Sequence, residues 1–256
     1  MLLSLKKIFK KRNKKPVSTQ VKEKYPFVYV ENENQLKFCI NNSTEEFRLV
    51  RWGGEEAYVK QMIGELKTGD IFFDIGSSVG LVSVMAAQKL TNGTVVSFEP
   101  DPENLMRLKE NFALNTMENF MIRPIAIGDR KTVMHLYTGG SNNYSPSLES
   151  VNGIKTSMEV EVDSIDNLLE RKAIPLPTVI KIDIEGAELM ALKGMKKLLS
   201  SVDRPRVLFI ELHPEFLPSF NATVEEIFDF LSELKYDLIE NTKRDQQILC
   251  KLVRSN

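Results

Sequence analysis

Acidic side chains recur in this chain at the points where apolar runs give way to short turns. Asp74 sits between Ile71-Phe72-Phe73 and the turn Ile75-Gly76-Ser77-Ser78-Val79-Gly80, and Glu99 closes Thr94-Val95-Val96-Ser97-Phe98. Gly128-Asp129 ends a third run, Asp183-Ile184-Glu185-Gly186 a fourth, and Glu211-Leu212-His213 a fifth. Carboxylates so placed can accept hydrogen bonds from sugar hydroxyls, balance a cationic ligand, bind a hard metal ion or take a proton. Gly76 and Gly80 allow a sharp turn and a close approach of backbone to ligand. Glu99 lies 23 residues beyond Gly76, a spacing at which a second strand can bring its carboxylate to both ribose hydroxyls of an adenosine.

The kind of ligand follows from charge. The turn lacks the Gly-x-Gly-x-x-Gly pattern of a nicotinamide site, and the chain has no Gly-Lys-Ser or Gly-Lys-Thr phosphate loop. A carboxylate at Asp74 would repel a diphosphate and attract a cationic amino-acid group. S-adenosylmethionine carries an ammonium, a sulfonium and a ribose and no phosphate, so Asp74 for the methionine end and Glu99 for the ribose is a consistent division of charge.

Positioning these residues requires alternating strands and helices. Strands are expected at Ile71–Ile75, Thr94–Glu99, Met121–Ile127, Thr132–Tyr137, Met158–Val162, Thr178–Ile184 and Val207–Leu212. Helices are expected at Val79–Leu90, Pro102–Leu114, Ile165–Arg171, Ala187–Leu199 and Val224–Leu234, with Asp101 as an N-cap and Thr223 with Glu226 as a capping box. Tyr236–Glu240 and Gln247–Val253, joined by Asn-Thr-Lys-Arg-Asp, must pair antiparallel. Upstream, Phe27–Val30, Leu36–Ile40 and Phe47–Arg51 read as short strands and Glu55–Leu66 as a helix. The expected fold is α/β: a doubly wound, mostly parallel sheet with an antiparallel C-terminal hairpin and helices on both faces. Ligands in such sheets bind beyond the carboxyl ends of the strands, where the acidic residues lie. Residues 70–256 make that domain, residues 25–69 a set of strands and a helix packed on it, and residues 1–24 a basic, disordered tail.

Composition narrows the class further. With 42% hydrophobic and 27% charged residues the chain is ordinary globular protein. Of its 34 basic residues seven (Lys6, Lys7, Lys10, Lys11, Arg12, Lys14, Lys15) fall within the first fifteen; the other 27 face 35 acidic residues, a net of −8. An acidic body argues against nucleic acid as partner. Leu2, Leu5, Ile8 and Phe9 share a helical face in the basic start, which gives residues 1–15 the means to touch an anionic membrane surface. Cys39 and Cys250 sit in strand-like runs and form neither a disulfide framework nor a zinc spacing. The apolar segment at the start is too short for a secretory signal, so a cytoplasmic location, peripheral to the membrane at most, is expected.

Asp74-Ile75-Gly76-Ser77-Ser78-Val79-Gly80, Ser97-Phe98-Glu99-Pro100, Ala126-Ile127-Gly128-Asp129 and Lys181-Ile182-Asp183-Ile184-Glu185-Gly186-Ala187-Glu188, followed by Glu211-Leu212-His213, resemble in order the motifs of FkbM-type S-adenosylmethionine-dependent methyltransferases. One departure is Ser77-Ser78, where that family usually has Ala-Asn. The resemblance covers roughly residues 70–215 and implies the seven-stranded Rossmann-like sheet of class I methyltransferases. It implies that Asp74, Gly76, Ser78 and Gly80 hold the methionine part, Glu99 the ribose, Ala126 and Asp129 the adenine end, and that Asp183 lies near the transferred methyl. It also implies O-methylation of a hydroxyl on a sugar, glycolipid or natural product, so the partner is a small-molecule or glycan acceptor.

A hydroxyl acceptor must lose its proton. His213 is the better base by intrinsic pKa, with Asp183 and Glu185 beside it. Asp183 with Glu185, Glu188 or Glu211 could instead hold a magnesium ion. Two other readings compete: a nicotinamide oxidoreductase, which shares Glu99 but lacks the second fingerprint glycine, and a non-catalytic methyltransferase-like binding domain brought to a membrane by its basic tail. The identity of the acceptor and the oligomeric state are not written in the sequence.

Overall fold

A computed structural model describes residues 25–31, 34–40, 42–50, 52–138, 146–150 and 156–255. The basic start, the linker after it and most of the Gly139–Gly153 loop lie outside the described residues, and the membrane reading with them.

The centre is a seven-stranded sheet. In chain order its strands are β3 (Ile71–Ile75), β4 (Thr94–Phe98), β5 (Phe120–Arg123), β9 (Val179–Ile182), β10 (Val207–Leu212), β11 (Tyr236–Arg244) and β12 (Gln247–Arg254). They lie side by side as β11-β12-β10-β9-β3-β4-β5. Neighbours are parallel except where β12 runs antiparallel to both β10 and β11. The chain steps outward from β3 to β5 and then returns to β9 on the other side of β3. The switch point therefore lies between β3 and β9, where ligands of open α/β sheets bind.

Alternate residues of the strands feed two apolar layers. Phe72, Val95, Val179 and Phe209 pack on one face with α3 (Leu81–Lys89) and α4 (Pro102–Leu114). Phe73, Val96, Ile180 and Leu208 pack on the other with α5 (Ile165–Glu170), α6 (Glu188–Lys193), α7 (Lys196–Ser200) and α8 (Val224–Glu233). The first layer is extended by the upstream segment: Leu36 and Phe38 of β2 (Asn34–Ile40), which pairs antiparallel with β1 (Tyr25–Glu31), Leu49 of α1 (Ser43–Val50), and Val59 and Met62 of α2 (Glu56–Glu65). A small sheet of β6 (Ala126–Ile127), β7 (Thr132–Tyr137) and β8 (Ser157–Asp163) stands apart.

Four local expectations are corrected. Of the strand expected at Phe47–Arg51, residues 47–50 belong instead to α1, because Asn42 caps it by accepting the Glu45 N–H at 2.8 Å and Glu45 and Glu46 lie in its first turn; Arg51 lies outside the described residues. Met121–Ile127 is not one strand. Pro124 interrupts it; Phe120–Arg123 stays in the large sheet and Ala126–Ile127 joins the small one. The Ala187–Leu199 helix breaks into α6 and α7 at Gly194, where a Cβ would stand 1.8 Å from the Gly128 carbonyl oxygen. The C-terminal hairpin is tighter than expected, its strands running on to Arg244 and its turn reduced to Asp245-Gln246, with Asp245 at φ 52°.

Candidate functional site

The turn after β3 fixes the site. Gly76 has φ 81°, and a Cβ there would lie 1.9 Å from the carbonyl oxygen of Asp183 at the end of β9, so only glycine lets the two strand ends meet. The amides of Gly76 and Ser77 both donate to the Phe98 carbonyl, at 3.0 and 3.1 Å, tying the turn to the end of β4. Ser78 then takes the left-handed conformation at φ 50° and donates its N–H to Glu99 Oε2 at 2.7 Å. The other Glu99 oxygen accepts the Asp101 N–H at 2.9 Å. Two of the roughly four lone-pair positions of a carboxylate are thus used. The rest are available to the cavity that Glu99 lines with Gly76, Ser78, Ala126 and Asp183. Burial pushes the Glu99 carboxyl up to about 7, against the pull of the two backbone N–H groups.

Asp74 is placed differently from the expectation of direct contact with the methionine end. It is fully buried behind the turn and lines neither of the two cavities here. Its Oδ2 accepts from Ser83 Oγ at 2.6 Å, its Oδ1 is 3.0 Å from Lys181 Nζ, and Ser83 is 2.8 Å from Ser97 Oγ. The reason is register: Asp74 on β3 is paired with Lys181 on β9 and with Ser97 on β4. Lys181 also donates to the Gly76 carbonyl at 2.8 Å and stands 3.4 Å from Asp183 Oδ2. Burial would lower the Lys181 ammonium, but Asp74 and Asp183 outweigh it and hold the group charged. Asp74 therefore shapes the turn through Lys181. A lysine inside the apolar Val179–Ile182 run was the available signal, since a buried charge needs a partner.

Beside this cleft, and sharing Arg48, Gly76, Ser78, Asp183 and Glu185 with it, opens a second cavity of about 340 Å³, within the range of small-molecule sites. It is lined by Trp52, Glu55 and Tyr58 from the upstream segment and by Arg244, which bridges Glu55 at 2.7 Å and Glu211 at 3.0 Å. Trp52 and Glu185, like Ser78, hold positive φ without being glycine, at 56° and 53°. Such backbone states cluster where a site needs a fixed geometry.

Asp183 and Glu185 are the carboxylates that line both cavities; Glu185 is 15% exposed and the more open side chain, at 28%, is that of Asp183. Burial alone would raise its pKa, but Lys181 and then His213 lower it below the ordinary value, so it is ionised at neutral pH. His213 is 1% exposed and lines neither cavity. Its Nδ1 donates to Glu188 Oε1 at 2.9 Å, and that oxygen also accepts the Gly186 N–H at 3.0 Å. Its Nε2 points among Glu185 at 3.4 Å, Glu211 at 3.7 Å and Asp183 at 3.8 Å. Burial would lower the imidazole, yet the Glu188 hydrogen bond and the charges of Glu185, Glu188 and Asp183 raise it to about 10. That surround favours the imidazolium over the free base, whereas His213 was expected as the better base from its intrinsic pKa. Glu211, raised by burial and by Asp183 and Glu55, is partnered by Arg244 at 3.0 Å.

Asp183, Glu211 and His213 offer three ligand atoms within 4.8 Å of one another. They do not suit magnesium well, which prefers oxygen donors: each carboxylate is already paired with Lys181, Arg244 or the imidazolium. Of the residues expected at the adenine end, Ala126 lines the cleft and Asp129 does not. Asp129 is 3.0 Å from Arg130 and belongs to a shallow groove with Asp166 and Lys193. The residues that sequence reasoning did not single out are Arg48, Glu55, Tyr58, Lys181 and Arg244. All but Lys181 come from segments whose approach to the site depends on tertiary packing.

Comparison with known proteins agrees with this arrangement. The Methyltransferase FkbM domain model matches residues 74–238. The chain is 27% identical over 219 residues to the hexuronic acid methyltransferase AglP of Haloferax volcanii, covering 83% of each chain. It is 23% identical over 141 residues to Methyltransferase 1 of Beauveria bassiana, covering 48% of this chain and 57% of that one. Among solved structures, one described as an rRNA methylase from Clostridium thermocellum superposes with a TM-score of 0.50 at 10% identity, over 78% of this chain and 95% of the other, a likeness of fold. No helix among the described residues is long and apolar enough to cross a membrane. The match of that family model to residues 74–238, on a seven-stranded sheet of this order, places the chain in the FkbM methyltransferase family, as an S-adenosylmethionine-dependent enzyme.

Proposed function

We propose that this enzyme methylates a hydroxyl group of a sugar, with Asp183 as the group that takes the proton. The observation that carries the reading is the position of Asp183: an ionised side chain shared by the cofactor cleft and the larger cavity. An acceptor lying in the larger cavity against Trp52 and Tyr58 would present its oxygen to the methyl at that boundary. The oxygen attacks the methyl carbon, the carbon–sulfur bond breaks with its electrons going to sulfur, and the hydroxyl proton passes to Asp183. An oxygen forming its third bond becomes strongly acidic, so a carboxylate of low pKa suffices as base. The rate then rests mainly on in-line placement. His213, held by Glu188, and Lys181 keep Asp183 ionised and oriented. The sugar class is supported by the hexuronic acid methyltransferase that matches 83% of each chain.

The test is transfer of a labelled methyl from S-adenosylmethionine to a panel of uronic acids, neutral sugars and glycan extracts, with the product then exposed to mild alkali. An ether methyl survives. Label released by alkali would move the acceptor atom to a carboxylate, and transfer to amines alone would exclude the sugar reading.

A further inference from the structure

We propose that Arg48 grips the carboxylate of the cofactor's methionine end, so that the upstream helix α1, and not the family domain alone, completes the cofactor site. This rests on the assignment of the Gly76–Gly80 turn to S-adenosylmethionine. The methionine end carries an ammonium and a carboxylate, and the carboxylate needs a cation. Lys181 is already committed: it donates to the Gly76 carbonyl at 2.8 Å and its charge lies 3.0 Å from Asp74 and 3.4 Å from Asp183. Among the described residues lining the cofactor cleft, Arg48 is the one basic side chain. It reaches the turn itself, Nη1 donating to Ser78 Oγ at 2.9 Å. It also lines the larger cavity, so it stands at the boundary between the two. Glu99 shares the cofactor cleft with it, and Asp183 shares both cavities with it.

The chemistry suits the task. A guanidinium presents a planar fork of N–H donors that matches a carboxylate. The acidic groups nearby, Asp183 and Glu185, face the same turn and complement the ammonium and sulfonium. Arg48 is positioned by packing: Leu49 beside it is buried in the layer formed with Phe38, Val79 and Leu81. Arg48 lies outside residues 74–238, the span of the family match.

The experiment compares two ligands that differ at this end alone. S-adenosylhomocysteine has the amino-acid end and 5′-methylthioadenosine lacks it. Both are titrated by calorimetry into wild type, Arg48→Met and Arg48→Lys, with thermal unfolding confirming that each variant is folded. Loss of a charge-assisted hydrogen bond predicts that Arg48→Met weakens S-adenosylhomocysteine by about tenfold or more and methylthioadenosine by less than about twofold. Arg48→Lys should recover part of the loss. Equal losses for both ligands, or no loss for either, would overturn the proposal. Unchanged S-adenosylhomocysteine affinity with a raised KM for the acceptor would also overturn it, assigning Arg48 to an acceptor carboxylate. A wild type that binds neither ligand would overturn the cofactor assignment itself, and the Arg48 proposal with it. A wild type that binds both equally well would remove Arg48 alone.

Discussion

Glu99 makes the cofactor cleft sensitive to pH. Burial pushes its carboxyl up to about 7, and with Glu99 as the proposed ribose ligand it is the ionised form that accepts from the hydroxyls. Below pH 7 the proton must leave before binding, so affinity for S-adenosylhomocysteine should fall by about tenfold between pH 8 and pH 6. Calorimetry at the two pH values measures this, and Glu99→Gln should bind weakly with no such slope. Asp183 carries the proposed proton transfer. Asp183→Asn should lower kcat by about 10²–10⁴-fold and leave the S-adenosylhomocysteine Kd within about threefold, as measured by turnover and calorimetry. For His213 the linkage is to folding rather than to ligand. Its pKa rises from 6.5 to about 10 on folding, so its protonated form stabilises the fold fully below pH 6.5, and that stability is lost as pH climbs toward 10. Denaturant unfolding at pH 6.5 and 9.5 should show wild type losing on the order of 1–3 kcal/mol more than His213→Gln does. The carboxylates of these sites were legible because each follows an apolar strand. The state of His213 was not, since it depends on Glu185, Glu188 and Glu211 converging in space.

At the scale of the element, the turn between β3 and α3 is the least replaceable part. A Cβ at Gly76 meets the backbone of Asp183, which cannot swing away as a side chain could. Gly76→Ala should therefore cost on the order of 2–4 kcal/mol in unfolding free energy and abolish measurable S-adenosylhomocysteine binding. At Gly80 the nearest obstacle is the tip of the Leu108 side chain, 2.5 Å away, and some relief is possible. Strand–turn–helix units were legible because unbroken apolar runs such as Ile71–Phe73 and Val179–Ile182 fit strands buried on both faces. The α1 helix was misread because Phe47 and Leu49 alternate like a strand, while the Asn42 cap that decides the matter acts through one local hydrogen bond. The Met121–Ile127 run was misread because Pro124 divides it between two sheets.

At the scale of the molecule, the order of strands brings β3 and β9 together, and with them the cofactor turn and Asp183. Residues 36–66 pack onto the layer that holds α3 and α4 and supply Arg48, Trp52, Glu55 and Tyr58 to the site. The family segment thus provides the end of the sheet that faces the first cleft, and the upstream segment lines that cleft through Arg48 and the larger cavity through Arg48, Trp52, Glu55 and Tyr58. That residues 25–60 help shape the pocket was legible, since an added segment near strand ends usually does so; that Arg48, Glu55 and Tyr58 are the side chains was not, because the wall is assembled by packing. What the whole arrangement claims is that the cleft was built for a cationic adenosine ligand without phosphate, since Asp183, Glu185 and Glu99 surround it. The most direct measurement is calorimetric titration of the folded protein with S-adenosylhomocysteine and, in parallel, with ADP. A Kd for S-adenosylhomocysteine far below the millimolar range and no measurable heat from ADP are expected; binding of ADP with none of S-adenosylhomocysteine would contradict a cleft built for a phosphate-free cationic ligand.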